Sequence, residues 1–159
     1  MRLDEGAESN CSRVTLFNHC GTHIDAPNHF VPGGRTLADL AIDEFIFERP
    51  VIVEVPLSDE ELVTRRHLEE QSAAMADCDL LMIRSGFSRH RSTDLERYTW
   101  STPGVSAEAA TYIVEEFANV RAVGVDFLSF ETLRDMSHGF QAHRIVLGKG
   151  VVIIEDLNL

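Results

Sequence analysis

Four short apolar runs constrain the fold of this chain more than any other feature. Val51, Ile52, Val53 and Val55 lie between Pro50 and Pro56; Leu80 to Ile83, Ala122 to Val125 and Val151 to Ile154 follow at wide intervals. Each is short, mostly β-branched or aliphatic, and bounded by turn-forming or charged residues, the pattern of buried strands. Helical spacing fills the gaps. Thr64 to Met75 reads as an exposed helix, preceded by Ser58-x-x-Glu61 at capping-box spacing. Ser106 is a candidate N-cap for a helix to Asn119, with Val105, Ala109, Tyr112, Ile113 and Phe117 on one face. Leu128 to Leu147 reads as loop and helix. Strands alternating with helices predict an α/β or α+β architecture. At 159 residues the chain is expected to form a single domain, residues 1–159, with roughly two-thirds of its unfolded surface buried.

The connecting segments carry further expectations. Residues 1–12 are polar and acidic, a loosely held terminus. Arg13 to Phe17 alternates enough to be a strand that delivers the segment after it. Pro32-Gly33-Gly34 marks a turn, and Leu37, Leu40, Ile42, Phe45 and Ile46 then run through a loop and short helix covering one side of the site. Arg89 to Pro103 is long and polar for a connection, which suggests a functional element.

The segment His19-Cys20-Gly21-Thr22-His23-Ile24-Asp25-Ala26-Pro27-Asn28-His29-Phe30 holds the chemistry. It gathers three imidazoles and a carboxylate, donors that zinc, manganese and iron prefer. His19 and His23 are four apart and could share a helix face, but Gly21, Thr22, Ile24 and Pro27 oppose a helix. In an extended segment residues two apart point the same way, so His23 and Asp25 would project together from a strand end. Pro27 would then turn the chain and return His29 to the same point. Any one of these histidines reads as an ordinary loop residue; together with Asp25 they read as a metal site.

Composition narrows the partners. A net charge of -12, from 26 acidic against 14 basic residues, disfavours nucleic acid, whose binding rests on clustered Lys and Arg. No apolar run approaches the ~18 residues of a membrane span. Met1 to Glu8 lacks the basic and apolar regions of a signal peptide. Cys11, Cys20 and Cys78 form no C-x-x-C pair and fit free thiols in a reducing compartment. A cytoplasmic protein with neither nucleic-acid nor membrane partners is the expectation.

A complete site needs donors from later in the chain. Asp126, His138, His143, Glu155 and Asp156 are the candidates near strand ends. Glu155 closes an apolar strand, where a carboxylate must be solvated, paired or bound to metal. An exposed strand terminus is an equal alternative.

At this point the chain resembles a family. H-x-G-T-H-x-D-x-P-x-H-F is similar to the signature of the metal-dependent cyclase-like hydrolases, which include bacterial kynurenine formamidase (arylformamidase) and isatin hydrolase. The resemblance continues through Ile83-Arg84-Ser85-Gly86-Phe87-Ser88, Pro103-Gly104-Val105-Ser106-x-Glu108-Ala109-Ala110, Val123-Gly124-Val125-Asp126-x-x-Ser129, and His143 with Glu155 twelve residues on. It implies a swivelling β/β/α fold within the α/β class, one or two zinc or manganese ions, and a homodimer or larger assembly. The residues matching the formamidase ligands are His23, Asp25, His29, His143 and Glu155, with Asp25 and Glu155 able to bridge two ions. His19 matches the first motif histidine and is expected near the metals as a proton-transfer group. Family members usually carry a further strand segment before the signature and a final segment after the Glu155 region. The chain begins shortly before the motif and stops at Leu159, so the resemblance implies a short member or a fragment.

The implied reaction is hydrolysis of a small-molecule amide, formamide or lactam, with N-formylkynurenine the foremost substrate. A metal provides the nucleophile by lowering the pKa of water toward ~7, and His19 would pass a proton to the leaving nitrogen. Arg84, Ser85, Phe87 and Trp100 either face the substrate or pack the central loop. Two other readings compete. His23, Asp25 and His143 also match the triad of mononuclear iron oxygenases, although that leaves His29 and Glu155 unexplained. A metal-binding protein without turnover is the second.

Overall fold

The computed structural model describes residues 1–133 and 136–159; the side chain of His138 also lies outside the described residues. The strands in chain order are β1 (His23–Asp25), β2 (Pro50–Glu54), β3 (Leu62–Val63), β4 (Leu80–Arg84), β5 (Gly104–Val105), β6 (Ala122–Val125) and β7 (Val152–Glu155). The α-helices are α1 (Arg65–Glu69), α2 (Ser72–Met75), α3 (His90–Thr93), α4 (Leu95–Trp100), α5 (Ala107–Glu116) and α6 (Met136–Gly148). Five strands build a mixed sheet in the order β1-β7-β6-β4-β2, while β3 and β5 pair in a small parallel ribbon. The four predicted apolar runs supply its parallel strands, because helical crossovers return the chain to the same sheet edge each time. Among the described residues only β1 runs antiparallel, against β7.

Alternation along the strands sorts the side chains into two layers. Val53, Leu81, Ile83, Val123, Val125 and Ile153 bury one face together with Ala109, Ala110 and Ile113 of α5 and Ala142, Val146 and Leu147 of α6. On the other face Ala122 and Val152 meet Ala26 and Leu40, with Ile24, Phe45, Phe47, Leu80 and Ile154 packed against them. The expected cover over residues 37–46 is present as two 3-10 turns, Leu37–Asp39 and Ile42–Phe45.

Several expectations are corrected. Arg13 to Phe17 forms no strand; Val14, Leu16 and Phe17 are 70%, 74% and 86% exposed. A strand needs a partner for its backbone groups, and the free edge of β7 is taken by His23–Asp25 instead. β2 is an edge strand with Ile52 in solvent. The helix expected over 64–75 is broken into α1 and α2 beside Gln71, whose side chain leaves the helix path to bond the backbone of β2. Its Nε2 donates to Glu54 O at 2.8 Å and its Oε1 accepts from Glu54 N at 3.1 Å. Ser58 and Glu61 close a turn of their own rather than start a helix. The stretch from Arg89 to Pro103 is mostly helical, as α3 and α4, with His90 and Tyr98 buried. No helix of the described residues is long and apolar enough to cross a membrane.

The start of α5 agrees with the sequence. Ser106 Oγ accepts from Ala109 N at 3.1 Å, satisfying one of the otherwise unpaired amides of the first turn. Ser106→Ala is expected to cost about 1 kcal/mol, read as a fall in Tm of about 2–4 °C with no change in the far-UV spectrum.

Candidate metal centre

Three elements converge at one end of β1 and β7. The register His23↔Glu155 and Asp25↔Ile153 sends His23, Asp25 and Glu155 out on the same side of the sheet. Gly21, at φ 73°, supplies the left-handed turn that leads into β1. A 3-10 turn over Pro27–His29 then brings His29 back, as the proline implied. From above, α6 lowers His143 onto β7.

The donor atoms lie close together. His23 Nε2 is 3.5 Å from both Asp25 Oδ1 and Glu155 Oε2. His143 Nε2 is 3.2 Å from Glu155 Oε1 and 3.7 Å from Asp25 Oδ2. His29 Nε2 is 3.8 Å from Asp25 Oδ2, and His19 Nδ1 is 2.9 Å from Asp25 Oδ1. Among the described residues two groups could hold a metal ion, His19 with Asp25 and His29, and His23 with Asp25 and Glu155; Asp25 belongs to both. All six residues singled out in the sequence therefore meet at one point.

The ring nitrogens are oriented for ligation. His23 Nδ1 faces Gly21 O at 2.8 Å, and His143 Nδ1 faces Gly139 O at 2.9 Å with Glu131 Oε2 at 3.2 Å. The two carbonyls only accept, so each Nδ1 carries a proton and leaves Nε2, turned toward the carboxylates, as the nitrogen available to ligate.

Burial sets the electrostatics. Asp25 is buried and neither of its carboxylate oxygens has a hydrogen-bond partner. His19 Nδ1, though near, directs its hydrogen bond to His23 Nε2 at 3.0 Å. Burial, reinforced by the charge of Glu155, pushes the Asp25 carboxyl up to about 6. For Glu155 burial acts in the same sense, but His143, the amide of Phe130 and the hydroxyl of Ser129 outweigh it and hold the carboxyl below its usual range. His143 is raised because Glu155 and Glu131 overcome its burial. His29 is pushed down to about 4, first by burial and then by His19 and His143. A buried carboxylate without hydrogen bonds is costly unless a cation joins it, so the residues present fit a divalent metal.

The site has a closed wall and an open side. Phe30 stacks on His143 with ring centroids 4.5 Å apart, and Phe130 backs it at 5.4 Å. His19 and His29 stack at 4.1 Å on the side toward solvent. A cleft of about 330 Å³, lined by Asn18, Ile24, Ala26, Asn28, Thr36 and Leu37, opens there beside Asp25 and His29.

Other candidates have structural partners. Asp126 accepts from Ser85 N, Ser85 Oγ and Gly86 N and so stabilises the turn after β4. Ser85 and Phe87 are buried and Arg84 pairs with Glu54 on the surface, while Trp100 lies in solvent. Asp156 is engaged by Tyr98 and Arg91. His138, the remaining candidate, falls outside the described side chains. Sequence reasoning missed Glu131 and the carbonyl of Gly139 behind His143, and it gave Ser129 no role. Ser129 Oγ and Phe130 N each donate to Glu155 Oε1 at 2.8 Å. Ser129 and Glu131, two apart just beyond a buried strand, were the available signal.

Comparison with known proteins agrees with this geometry. The Cyclase family model matches residues 3–132. The chain belongs to the cyclase family. This cyclase-family chain is 28% identical over 156 residues to a kynurenine formamidase of Bacillus cereus, across 98% of itself and 68% of that relative. It superposes with a TM-score of 0.72 on a solved structure named "potential metal-dependent hydrolase with cyclase activity", at 25% identity, covering 92% of this chain and 66% of that one. Isatin hydrolase A from Labrenzia aggregata shares the fold at a TM-score of 0.76 and 19% identity, over 92% of this chain and 63% of the other. The chain thus spans slightly less than two thirds of these two structures.

Proposed function

We propose that this cyclase-family chain is a metal-dependent hydrolase of a small-molecule amide, formamide or lactam, with an arylformamide of the N-formylkynurenine type as the first substrate to test. One observation carries the proposal. Asp25 is buried with both carboxylate oxygens unbonded, inside a ring of four imidazoles and Glu155. The names of the relatives support the class of bond.

His19, His23, Asp25, His143 and Glu155 would hold one or two zinc or manganese ions, since imidazole nitrogen and carboxylate oxygen suit both metals. When bound, such an ion supplies an acidified water and polarises a carbonyl. Ser129 and Phe130 fix Glu155, and Gly21 and Gly139 fix the tautomers of His23 and His143. Phe30 and Phe130 keep water from the inner side. His29 lines the cleft and His19 does not. We therefore assign proton transfer to His29 Nε2, which is neutral at pH 7 and would take a proton from the attacking water and pass it to the leaving nitrogen, and a ligand role to His19, which exchanges the two roles implied by the motif match.

The oxygenase alternative remains less economical, because His29 and Glu155 share the cluster with its three residues. Free thiols at Cys11 and Cys20 on the surface and Cys78 in the interior support a cytoplasmic setting. The exposed Val14, Leu16 and Phe17, just before the histidine segment in sequence, support a homodimer or larger assembly.

Elemental analysis of protein purified without chelator is the direct test, with one or two ions per chain expected. His29→Ala is expected to keep the metal and lose about 100-fold or more in hydrolysis rate, whereas His19→Ala is expected to lose metal. The reverse pattern would restore the original division of roles. Full metal loading with no hydrolysis of any amide would favour the non-catalytic alternative, and a requirement for ferrous iron and oxygen the oxygenase.

A further inference from the structure

Asp156 follows Glu155 at the end of β7 and, with Glu60, is one of two non-glycine residues at positive φ among the described residues, here 60°. Glycine would occupy that conformation freely, and an aspartate does so at a cost. Its contacts explain the choice. Tyr98 Oη donates to Asp156 Oδ1 at 2.5 Å, and Arg91 pairs with the same oxygen. The Asp156 carbonyl accepts from Thr22 Oγ1 at 2.6 Å and from Arg91 at 3.3 Å, while its N–H donates to Phe127 O at 3.0 Å. Arg91 and Tyr98 belong to α3 and α4, which contribute no donor to the metal centre. Each of the other contacts lies beside a part of that centre. Thr22 precedes His23, Glu155 precedes Asp156, and Phe127 leads to the Ser129 and Phe130 that bond Glu155.

We infer that Asp156 is a positioning residue: with Arg91 and Tyr98 it locks the Thr22 turn against the end of β7 and so fixes His23 and Glu155 relative to each other. Charge-assisted bonds to a buried carboxylate make such a lock stiff. Its consequence for the metal rests on the proposed function, but the lock itself does not. Outer partners of metal ligands commonly change metal affinity about 10–100-fold when removed.

Three variants test the lock. Asp156→Gly suits the left-handed backbone and removes the carboxylate; Tyr98→Phe removes only the hydroxyl; Asp156→Asn tolerates the conformation and keeps an oxygen acceptor, and serves as the conservative rescue. The first readout is amide hydrogen exchange of the metal-free protein. In the Gly and Phe variants the amides of β1 are expected to exchange about tenfold faster or more while those of α5 are unchanged, with the Asn variant between them and wild type. Wild-type exchange at β1, or a rise that includes α5, overturns the inference. The second readout is zinc affinity by competition with a chelator, expected to weaken about tenfold or more in Asp156→Gly; an unchanged affinity overturns it as well. If wild type binds no zinc, the hydrolase reading falls and the exchange data still decide the lock. If Asp156→Gly does not fold, Tyr98→Phe decides it, since the ring still fills the core.

Discussion

Asp25→Asn is expected to lose metal affinity and hydrolytic rate by more than about 100-fold, beyond the loss that follows removal of a ligand's supporting partner. Asp25 is the residue common to both donor groups, so its replacement damages every metal position at once. The amide keeps the volume but removes the charge and turns an N–H₂ donor toward nitrogens and oxygens arranged to receive a cation. The same substitution should leave the metal-free fold intact. Burial and Glu155 both disfavour the Asp25 carboxylate, so a neutral amide relieves repulsion, and metal-free Asp25→Asn is expected to melt no lower than metal-free wild type at pH 7.5. Zinc should raise the Tm of wild type by mass action and leave that of the variant unchanged. A variant that still takes up zinc and still shifts on melting would show that Asp25 is a structural acid.

The strands legible in the sequence were those with their own apolar pattern. Ala122 to Val125 is buried on both faces, and Leu80 to Ile83 and Val151 to Ile154 are buried on one face and at least half-buried on the other, so hydrophobicity alone marks them. β1 was legible only as an extended segment ending a strand, through the spacing of His23 and Asp25, because two of its three residues are there for chemical reasons and carry no apolar pattern. Val14, Leu16 and Phe17 imitate a strand without a neighbour to complete it. Gln71 interrupts a helix because Glu54, far away in sequence, offers backbone bonds, and no local propensity records that. The site divides along the same line. Metal ligation and proton transfer restrict the side-chain types, so His19, His23, Asp25, His29, His143 and Glu155 stand out. Supporting bonds carry no such restriction: a carbonyl like that of Gly139 exists at every position, and proximity alone selects it. Asp126 and Glu155 both close buried strands. Only the fold distinguishes the first, saturated by the turn after β4, from the second, which faces His23.

Gly139→Ala is expected to damage both stability and metal binding, against the usual direction for a glycine within a helix. Replacing such a glycine by alanine ordinarily gains about 0.5–1 kcal/mol. Here a Cβ would lie 2.0 Å from Glu131 Cβ and 2.2 Å from Glu131 Cα, and backbone cannot swing aside as a side-chain tip can. α6 must move away from residues 129–131. That motion carries His143 away from Glu155, which Ser129 and Phe130 hold, and disturbs the Gly139 carbonyl that fixes the His143 tautomer. Overpacking of this kind costs about 1–3 kcal/mol or more, or about 3–10 °C in Tm for a domain of this size, and zinc affinity should fall with it. Gly148→Ala, on the same helix, would place its Cβ in open space and is expected to leave Tm unchanged or raise it. Equal melting temperatures for the two variants would mean that α6 does not approach residues 129–131 this closely, and the account of how His143 is held would fail with it.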